Sequence, residues 1–201
     1  MGGDALGLSH LPLARGTDPP APADPSLGGD ERFKKPNLPP ILPPMSKTTP
    51  ATLALSKAGI AFDLHPYAYD PDAPRVGLQA AEALGWAPEQ VFKTLMTLVD
   101  LKPVCVIIPS DAEVSMKKLA AAHQSKSAQM MKPADAERLT GYKVGGVSPF
   151  GQRKPVPTYL DESAILFDRI LINAGQRGLL LEIAPRDAAS ACGAIMMDLK
   201  A

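Results

Sequence analysis

Ten of the 22 prolines fall within the first 44 residues, and the other twelve are spread over the rest of the 201-residue chain. Proline fixes φ and removes a backbone donor, so a segment this rich in it is a poor helix and a poor central strand. Residues 1–44 show neither helical nor strand periodicity, and Lys35–Pro44 is predicted to be extended and polyproline-like. Such a stretch could dock in an aromatic groove. The plainer expectation is a disordered leader, or translated sequence upstream of a true start at Met45. The compact domain is therefore expected over residues 45–201.

At Thr49-Pro50 the character changes. Threonine is a good N-cap and proline a good first helical residue, and Gly59 supplies the stop. A short strand is predicted over Ala61–His65, then a helix over Leu78–Leu84 closed by Gly85. Pro88 opens a helical turn leading into a long β pattern from Phe92 to Asp100. A turn at Leu101–Pro103 and a strand over Val104–Ile108 make these two segments a hairpin. Ser115 caps a helix through Ala122, Ser127–Met131 reads as a strand, and Pro133–Leu139 as a helix ending at Gly141. Strand-like runs follow at Val156–Leu160, Arg169–Ile172 and Gly178–Ile183, with a last helix from Pro185 to near Gly193. No internal repeat and no regular strand–helix alternation is present, so a doubly wound parallel sheet is not expected. The expected class is α+β, a single domain with a curved, mainly antiparallel, barrel-like mixed sheet and peripheral helices.

Charge and cysteine content narrow the chemistry. Outside the first 44 residues, 17 basic side chains stand against 16 acidic ones. A near-neutral domain is no general polyanion binder, because nonspecific nucleic-acid affinity comes mostly from phosphate neutralisation. Selective contacts through a small patch remain open to it. Cys105 and Cys192 are too few for a disulfide framework, and Cys105 lies in an apolar run as a small buried hydrophobe would. His10, His65 and His123 show no metal-ligand spacing. Neither a metal nor a cofactor is expected. No stretch approaches the roughly 20 apolar residues of a membrane span, and neither a signal peptide nor a myristoylation pattern is present. No membrane partner and a cytoplasmic location are expected.

If residues 91–99 form a strand, Lys93 shares a mostly apolar face with Val91, Leu95 and Val99. A lysine there either snorkels to solvent, the more ordinary case, or is retained for its charge. In a cleft it could stabilise a developing oxyanion or grip a phosphate. The stretch Gly141–Gly151 is no P-loop, since its glycines lack the Gly-Lys-Ser/Thr ending. Gly145 and Gly146 could let backbone amides approach a ligand, and a plain turn explains them equally well. Asn173–Gly178 has the same character and adds Arg177. His65, before Pro66 at a strand end, reads as structural, and Tyr67 as packing with a hydroxyl to offer. A Ser-His-Asp or Cys-His site is improbable with so few histidines, so catalysis would rest on positioning, with help from a group of the substrate.

Taken together, His65-Pro-Tyr67, Val91-Phe-Lys-Thr-Leu95, Gly141–Gln152, Pro157-Thr-Tyr-Leu-Asp161 and Asn173–Gly178 resemble the YbaK/EbsC family. These are free-standing relatives of the editing domain inserted in bacterial prolyl-tRNA synthetases, and the likeness covers roughly residues 49–199. The resemblance implies hydrolysis of the ester joining a mischarged amino acid to tRNA, typically cysteine on tRNA(Pro), with the substrate thiol attacking its own ester. It implies Lys93 as the lysine that holds the aminoacyl-adenosine end and Gly145 and Gly146 as the loop near the aminoacyl carbonyl. Tyr67 would be a pocket tyrosine, and Asn173, Gly175 and Arg177 the second binding loop. Mischarged tRNA, by its 3′ aminoacyl end, and prolyl-tRNA synthetase are the implied partners. At Leu180 some relatives carry aspartate and at Asn173 some carry serine, which bears on the amino acid accepted. A noncatalytic tRNA or aminoacyl-adenosine binding module, or a synthetase accessory acting through exposed Lys117, Lys118, Arg153 and Lys154, is the competing expectation.

Overall fold

The structure, a computed structural model, describes residues 47–73 and 76–201; the proline-rich stretch 1–44 and the boundary at Met45 lie outside the described residues. Helix α1 (Pro50–Lys57) begins as its sequence predicts. Thr49 Oγ1 accepts from the Thr52 amide at 3.1 Å, and Thr52 Oγ1 accepts from the Thr49 amide at 2.9 Å. This reciprocal box satisfies two of the donors that a helix start leaves unpaired. The Thr49 hydroxyl also donates to the Ala174 carbonyl at 2.5 Å, tying the helix to a strand far along the chain.

Strand β1 (Asp63–Pro66) starts later than Ala61, where its pairing begins, and includes Pro66. It is the end strand of the sheet, where a missing amide costs no ladder bond. Helix α2 (Val76–Leu84) and a 3-10 turn at Pro88–Gln90 lead into β2 (Val91–Val99) and β3 (Lys102–Pro109). The hairpin is as predicted, with a tighter turn: Asp100 and Leu101 both take positive φ (46° and 66°), and Pro103 lies inside β3. Two central residues of positive φ match the twist of the flanking strands.

Helix α3 (Met116–Ala122) carries Ser115 as its cap, β4 (Ala128–Met130) follows, and α4 (Pro133–Thr140) stops at Gly141. The remaining elements are β5 (Thr158–Asp161), a 3-10 turn at Glu162–Leu166, β6 (Ile170–Gln176), β7 (Leu179–Ile183), α5 (Pro185–Cys192) and β8 (Ile195–Met197). The second 3-10 turn and β8 were not expected from the sequence. Three residues are too few to show a period, and β8 exists because it pairs in parallel with Tyr159–Asp161.

The strands form one mixed sheet in the order β1-β7-β6-β2-β3-β5-β8, with β4 added on β2. Pairs β1–β7, β7–β6, β2–β3 and β2–β4 are antiparallel; β6–β2, β3–β5 and β5–β8 are parallel. The α+β class with an antiparallel majority therefore holds. The main core gathers Phe92, Ile107, Phe150, Leu160, Ile172 and Leu181 with Leu55 of α1 and Ala188 of α5. Each such large side chain contributes about 1.5–3 kcal/mol on burial.

The pairing of β2 matters most for function. One edge is taken by β3 along residues 92–99. The other edge is shared: β6 pairs with Val91 and Phe92, and β4 with residues 97–99. Between them, Met96 is bridged by the Met131 amide, and residues 93–95 have no partner strand. There the sheet opens.

Candidate active site

A cleft of about 250 Å³ lies at that opening, bordered by Lys93, Thr94, Tyr67, Gly145, Asn173 and Leu180 among others. Because residues 93–95 lack a neighbour strand on the edge away from β3, both parities of β2 reach it, and Thr94 joins Lys93 although strict alternation would separate them. Lys93 sits between two apolar clusters on its face, one with Val91, Tyr67 and Leu180, the other with Leu95 and Val99. Its ammonium is half-buried and donates to the Ser110 carbonyl at 3.2 Å. Burial pushes the Lys93 pKa below its ordinary 10.5, and the nearby Glu113 and Asp111 charges pull the other way.

The loop after α4 is held from several sides. The buried Tyr142 hydroxyl donates to the Phe150 carbonyl at 2.7 Å. Glu137 accepts from the Val144 amide at 3.0 Å and from Lys143 at 2.8 Å, which keeps its carboxyl below the usual range. Gly145 has φ +87°, and a Cβ there would lie 2.7 Å from the Tyr69 hydroxyl. Only glycine meets both conditions. Gly146 needs its missing side chain for another reason: a Cβ would come within 2.8 Å of the Arg177 backbone nitrogen.

The second predicted loop grips the first. Asn173 Nδ2 donates to the Gly145 carbonyl at 3.1 Å, and Asn173 Oδ1 accepts from the Gly175 amide at 2.9 Å. Arg177 Nε donates to the Val144 carbonyl at 2.9 Å, with its guanidinium 5.6 Å from the Tyr69 ring centre. A Cβ on Gly175 would strike the Tyr142 ring at 2.6 Å. Of the residues singled out in the sequence, Lys93, Tyr67, Gly145 and Asn173 thus border the cleft. Gly146, Gly175 and Arg177 stand behind its wall and lock two loops together.

Two polar residues of the cleft, Ser110 and Thr94, were not singled out as site candidates in the sequence. Ser110 is fixed by its amide to the Val91 carbonyl (2.7 Å) and its hydroxyl to the Pro88 carbonyl (3.0 Å). The Thr94 hydroxyl is buried without a hydrogen-bond partner among the described residues. Its place directly after Lys93 was the only available signal. Tyr69, too, gained its role only through the contact with Gly145.

Among the described residues, no histidine, cysteine or carboxylate borders the cleft. Lys93 and Tyr67 are the titratable side chains that border it. Burial raises the Tyr67 phenol above its ordinary 10.0, and the neighbouring Tyr69 adds to this. His65 pairs with Glu182 at 2.8 Å, and His123 packs edge-on to Tyr159. Cys105 is wholly buried, its thiol pushed up to about 12, and Cys192 is pushed to about 11. Thiols so raised are inert as nucleophiles. Among the described residues, no three His, Cys, Asp or Glu side chains gather as a metal site, and no helix is long and apolar enough to cross a membrane.

Comparison with known proteins bears on this geometry. The family model described as the aminoacyl-tRNA editing domain matches residues 71–191. A protein of Enterococcus faecalis, provisionally named Cys-tRNA(Pro)/Cys-tRNA(Cys) deacylase EbsC, is 43% identical over 106 residues, 52% of this chain and 65% of that protein. Proline–tRNA ligase of Acidithiobacillus ferrooxidans is 28% identical over 91 residues, 45% of this chain and 16% of the ligase. The chain thus spans just under two thirds of the first relative and about a sixth of the second. A solved structure described provisionally as a trans-editing enzyme for prolyl tRNA synthetase shares the fold, with a TM-score of 0.68 at 24% identity, covering 78% of this chain and 99% of that one.

Proposed function

This chain belongs to the aminoacyl-tRNA editing domain family, and from that premise we propose that it is a deacylase acting in trans on mischarged tRNA, cysteine on tRNA(Pro) being its foremost substrate. The observation that carries the proposal is the cleft itself: among the described residues an ammonium, three hydroxyls and a glycine loop border it, and no histidine, cysteine or carboxylate does. The biological need is physical. A synthetase pocket gains only about 1–3 kcal/mol per methylene, so small wrong amino acids pass and a second site must remove them.

In the proposed mechanism Lys93 holds the aminoacyl-adenosine end near its carbonyl or phosphate and favours the charge that develops on the carbonyl oxygen. The Gly145 loop, fastened by Asn173, lies along the aminoacyl group, and Tyr67 offers its hydroxyl to the same space. With no histidine, cysteine or carboxylate among the described lining residues, the thiol of the cysteinyl group attacks its own ester carbon. The C–O bond to ribose breaks, the ribose oxygen takes up the proton lost by the thiol through water, and a thiolactone is released for water to open. Catalysis then rests on bringing reacting atoms together beside a fixed charge in a largely apolar cleft. Leu180, buried beside Asn173 in the β6–β7 pairing, makes the wall apolar and suits a small uncharged side chain. The likeness to proline–tRNA ligase supports tRNA(Pro) as the carrier and the synthetase as a partner. The cytoplasm, where translation occurs, is the proposed location, and residues 45–201 the catalytic unit.

The test is deacylation of Cys-tRNA(Pro), Ala-tRNA(Pro) and Pro-tRNA(Pro), beside Lys93→Ala. Cysteine is expected to leave fastest and proline to stay. If no substrate is cleared faster than in buffer, the deacylase proposal fails. If Lys93→Ala keeps the full rate, the site assignment fails.

A further inference from the structure

An aminoacyl ester stands at the 3′ end of a polyanion, so the strand that carries it must leave the cleft over one of its sides. Among the described residues those sides differ in charge. Beyond Ser110 the chain turns into exposed Asp111 and Glu113, which with Glu89 border a separate hollow against the single cation Lys200. Beyond Tyr67 lie exposed Asp70 and Asp72, with Arg177 drawn onto the Val144 carbonyl and the Tyr69 ring. Along α4 the charges are matched: Arg138 pairs with Asp135 at 2.6 Å, and Lys143 with Glu137 at 2.8 Å.

The β4 side is the exception. Lys117 of α3 and Lys126 border one surface hollow, together with Ser125, Ser127 and Ala128. Neither ammonium makes an ion pair or a hydrogen bond among the described residues, and the same holds for exposed Lys132. Lys118, next in sequence to Lys117, is engaged elsewhere: it pairs with Asp198 at 2.8 Å and donates to the Lys200 carbonyl at 2.6 Å. Asp100, which accepts from the Ser127 hydroxyl at 3.4 Å, is the carboxylate that meets this region. Strand β4 joins the hollow to the cleft. Ala128 borders the hollow, Met130 and Met131 border the cleft, and Lys132 follows at the rim. From Ala128 to Met131 extended chain advances about 10 Å. Between them Met130, 48% exposed, presents an apolar face.

We propose that the single-stranded 3′ end of the tRNA reaches the cleft over β4, its phosphates held by Lys117 and Lys126 at the hollow and by Lys132 at the rim. Ammonium groups without a protein partner neutralise phosphate with no ion pair to break first, and they position a strand without reading its bases. A near-neutral domain achieves this by grouping its free cations on one side. That the strand carries an amino acid rests on the deacylase function proposed above; the uneven charge around the cleft does not.

The experiment titrates full-length protein with uncharged tRNA(Pro) by fluorescence anisotropy over a range of salt. It also measures deacylation of Cys-tRNA(Pro) and of cysteinyl-adenosine, which has no upstream phosphates. In Lys117→Ala/Lys126→Ala/Lys132→Ala the slope of log affinity against log salt is expected to flatten by about two, at about 0.7 per single-strand phosphate. KM for Cys-tRNA(Pro) rises about 10-fold with kcat unchanged, the size of three exposed ion pairs. Cysteinyl-adenosine is cleared as by the wild type. Lys117→Arg/Lys126→Arg/Lys132→Arg keeps the wild-type slope, and so does Lys57→Ala/Arg153→Ala/Lys154→Ala, which removes the same charge elsewhere. An unchanged slope in the folded alanine variant overturns the proposal, as does an equal loss in the variant altered elsewhere. A defect seen only when prolyl-tRNA synthetase is added also overturns it, since these lysines would then be a protein contact. If the wild type clears neither substrate, the deacylase function falls instead, and the salt slope still decides the surface.

Discussion

Gly146→Ala adds one methyl group where the two loops of the site meet. Its Cβ would lie 2.8 Å from the Arg177 backbone nitrogen and 3.0 and 3.2 Å from the Gln176 carbonyl carbon and Cα. None of these is the tip of a flexible side chain, and Gln176 is held in the β6–β7 pairing opposite Leu179. The loop carrying residue 146 must therefore move. Overpacking of this kind costs about 1–3 kcal/mol. The loss of the Asn173–Gly145 bond alone would account for about 0.5–1.5 kcal/mol. For a domain of this size each kcal/mol lowers Tm by about 2–4 °C, so a drop of about 2–12 °C is expected by calorimetry. A loop displaced by about 1 Å also costs about 100-fold in kcat/KM for Cys-tRNA(Pro). Because the obstacle is backbone, adding Arg177→Ala does not rescue either loss. A Gly146→Ala protein that melts within about 1 °C of wild type and keeps its activity would show that the loops do not pack as described. Rescue by Arg177→Ala would place the obstacle in the side chain and refute the same reasoning.

Lys93→Ala is expected to leave Tm within a few degrees, because the side chain is half-exposed, while kcat/KM falls by at least about 100-fold, as for loss of an electrostatic stabiliser. The pH dependence of Lys93 runs in two directions. Its pKa in the folded protein lies below the ordinary 10.5, so the unfolded chain binds more protons between those two values, and stability rises with pH across that window relative to Lys93→Met. Activity falls over the same window as the ammonium is lost; denaturant melts and pH–rate profiles check the two slopes, and parallel slopes would contradict the assignment. Asn173→Ala loses both the donor to Gly145 and the acceptor for Gly175, so urea titration should show a loss of about 1–3 kcal/mol together with reduced turnover. Tyr67→Phe keeps the backbone bond to Gly178, so Tm should hold while KM or kcat changes; identical kinetics would remove the hydroxyl from the mechanism.

Much of the fold could be read locally. Thr49-Pro50, Gly141 and Pro185 mark helix ends through their own backbone preferences, and the β2–β3 hairpin follows from two β-rich runs joined by a short turn. These signals act over a few residues, which is why they survive without tertiary context. The limits are equally physical: β8 is a strand only because Tyr159–Asp161 is there to pair with it, and β1 begins where Glu182 meets it rather than at a change in composition.

The site divides in the same way. Lys93, Tyr67 and the two glycine loops were legible as motifs. The motifs could not tell lining from support, because Gly146, Gly175 and Arg177 look as ligand-facing in the sequence as Gly145 and Asn173 do. Contacts between segments far apart in the chain separated them. By itself the sequence determined that a lysine would stand on an apolar strand beside glycine-rich loops. Only the tertiary structure decided that this lysine faces a cleft, because β6 and β4 cover the same edge of β2 and leave residues 93–95 unpaired between them.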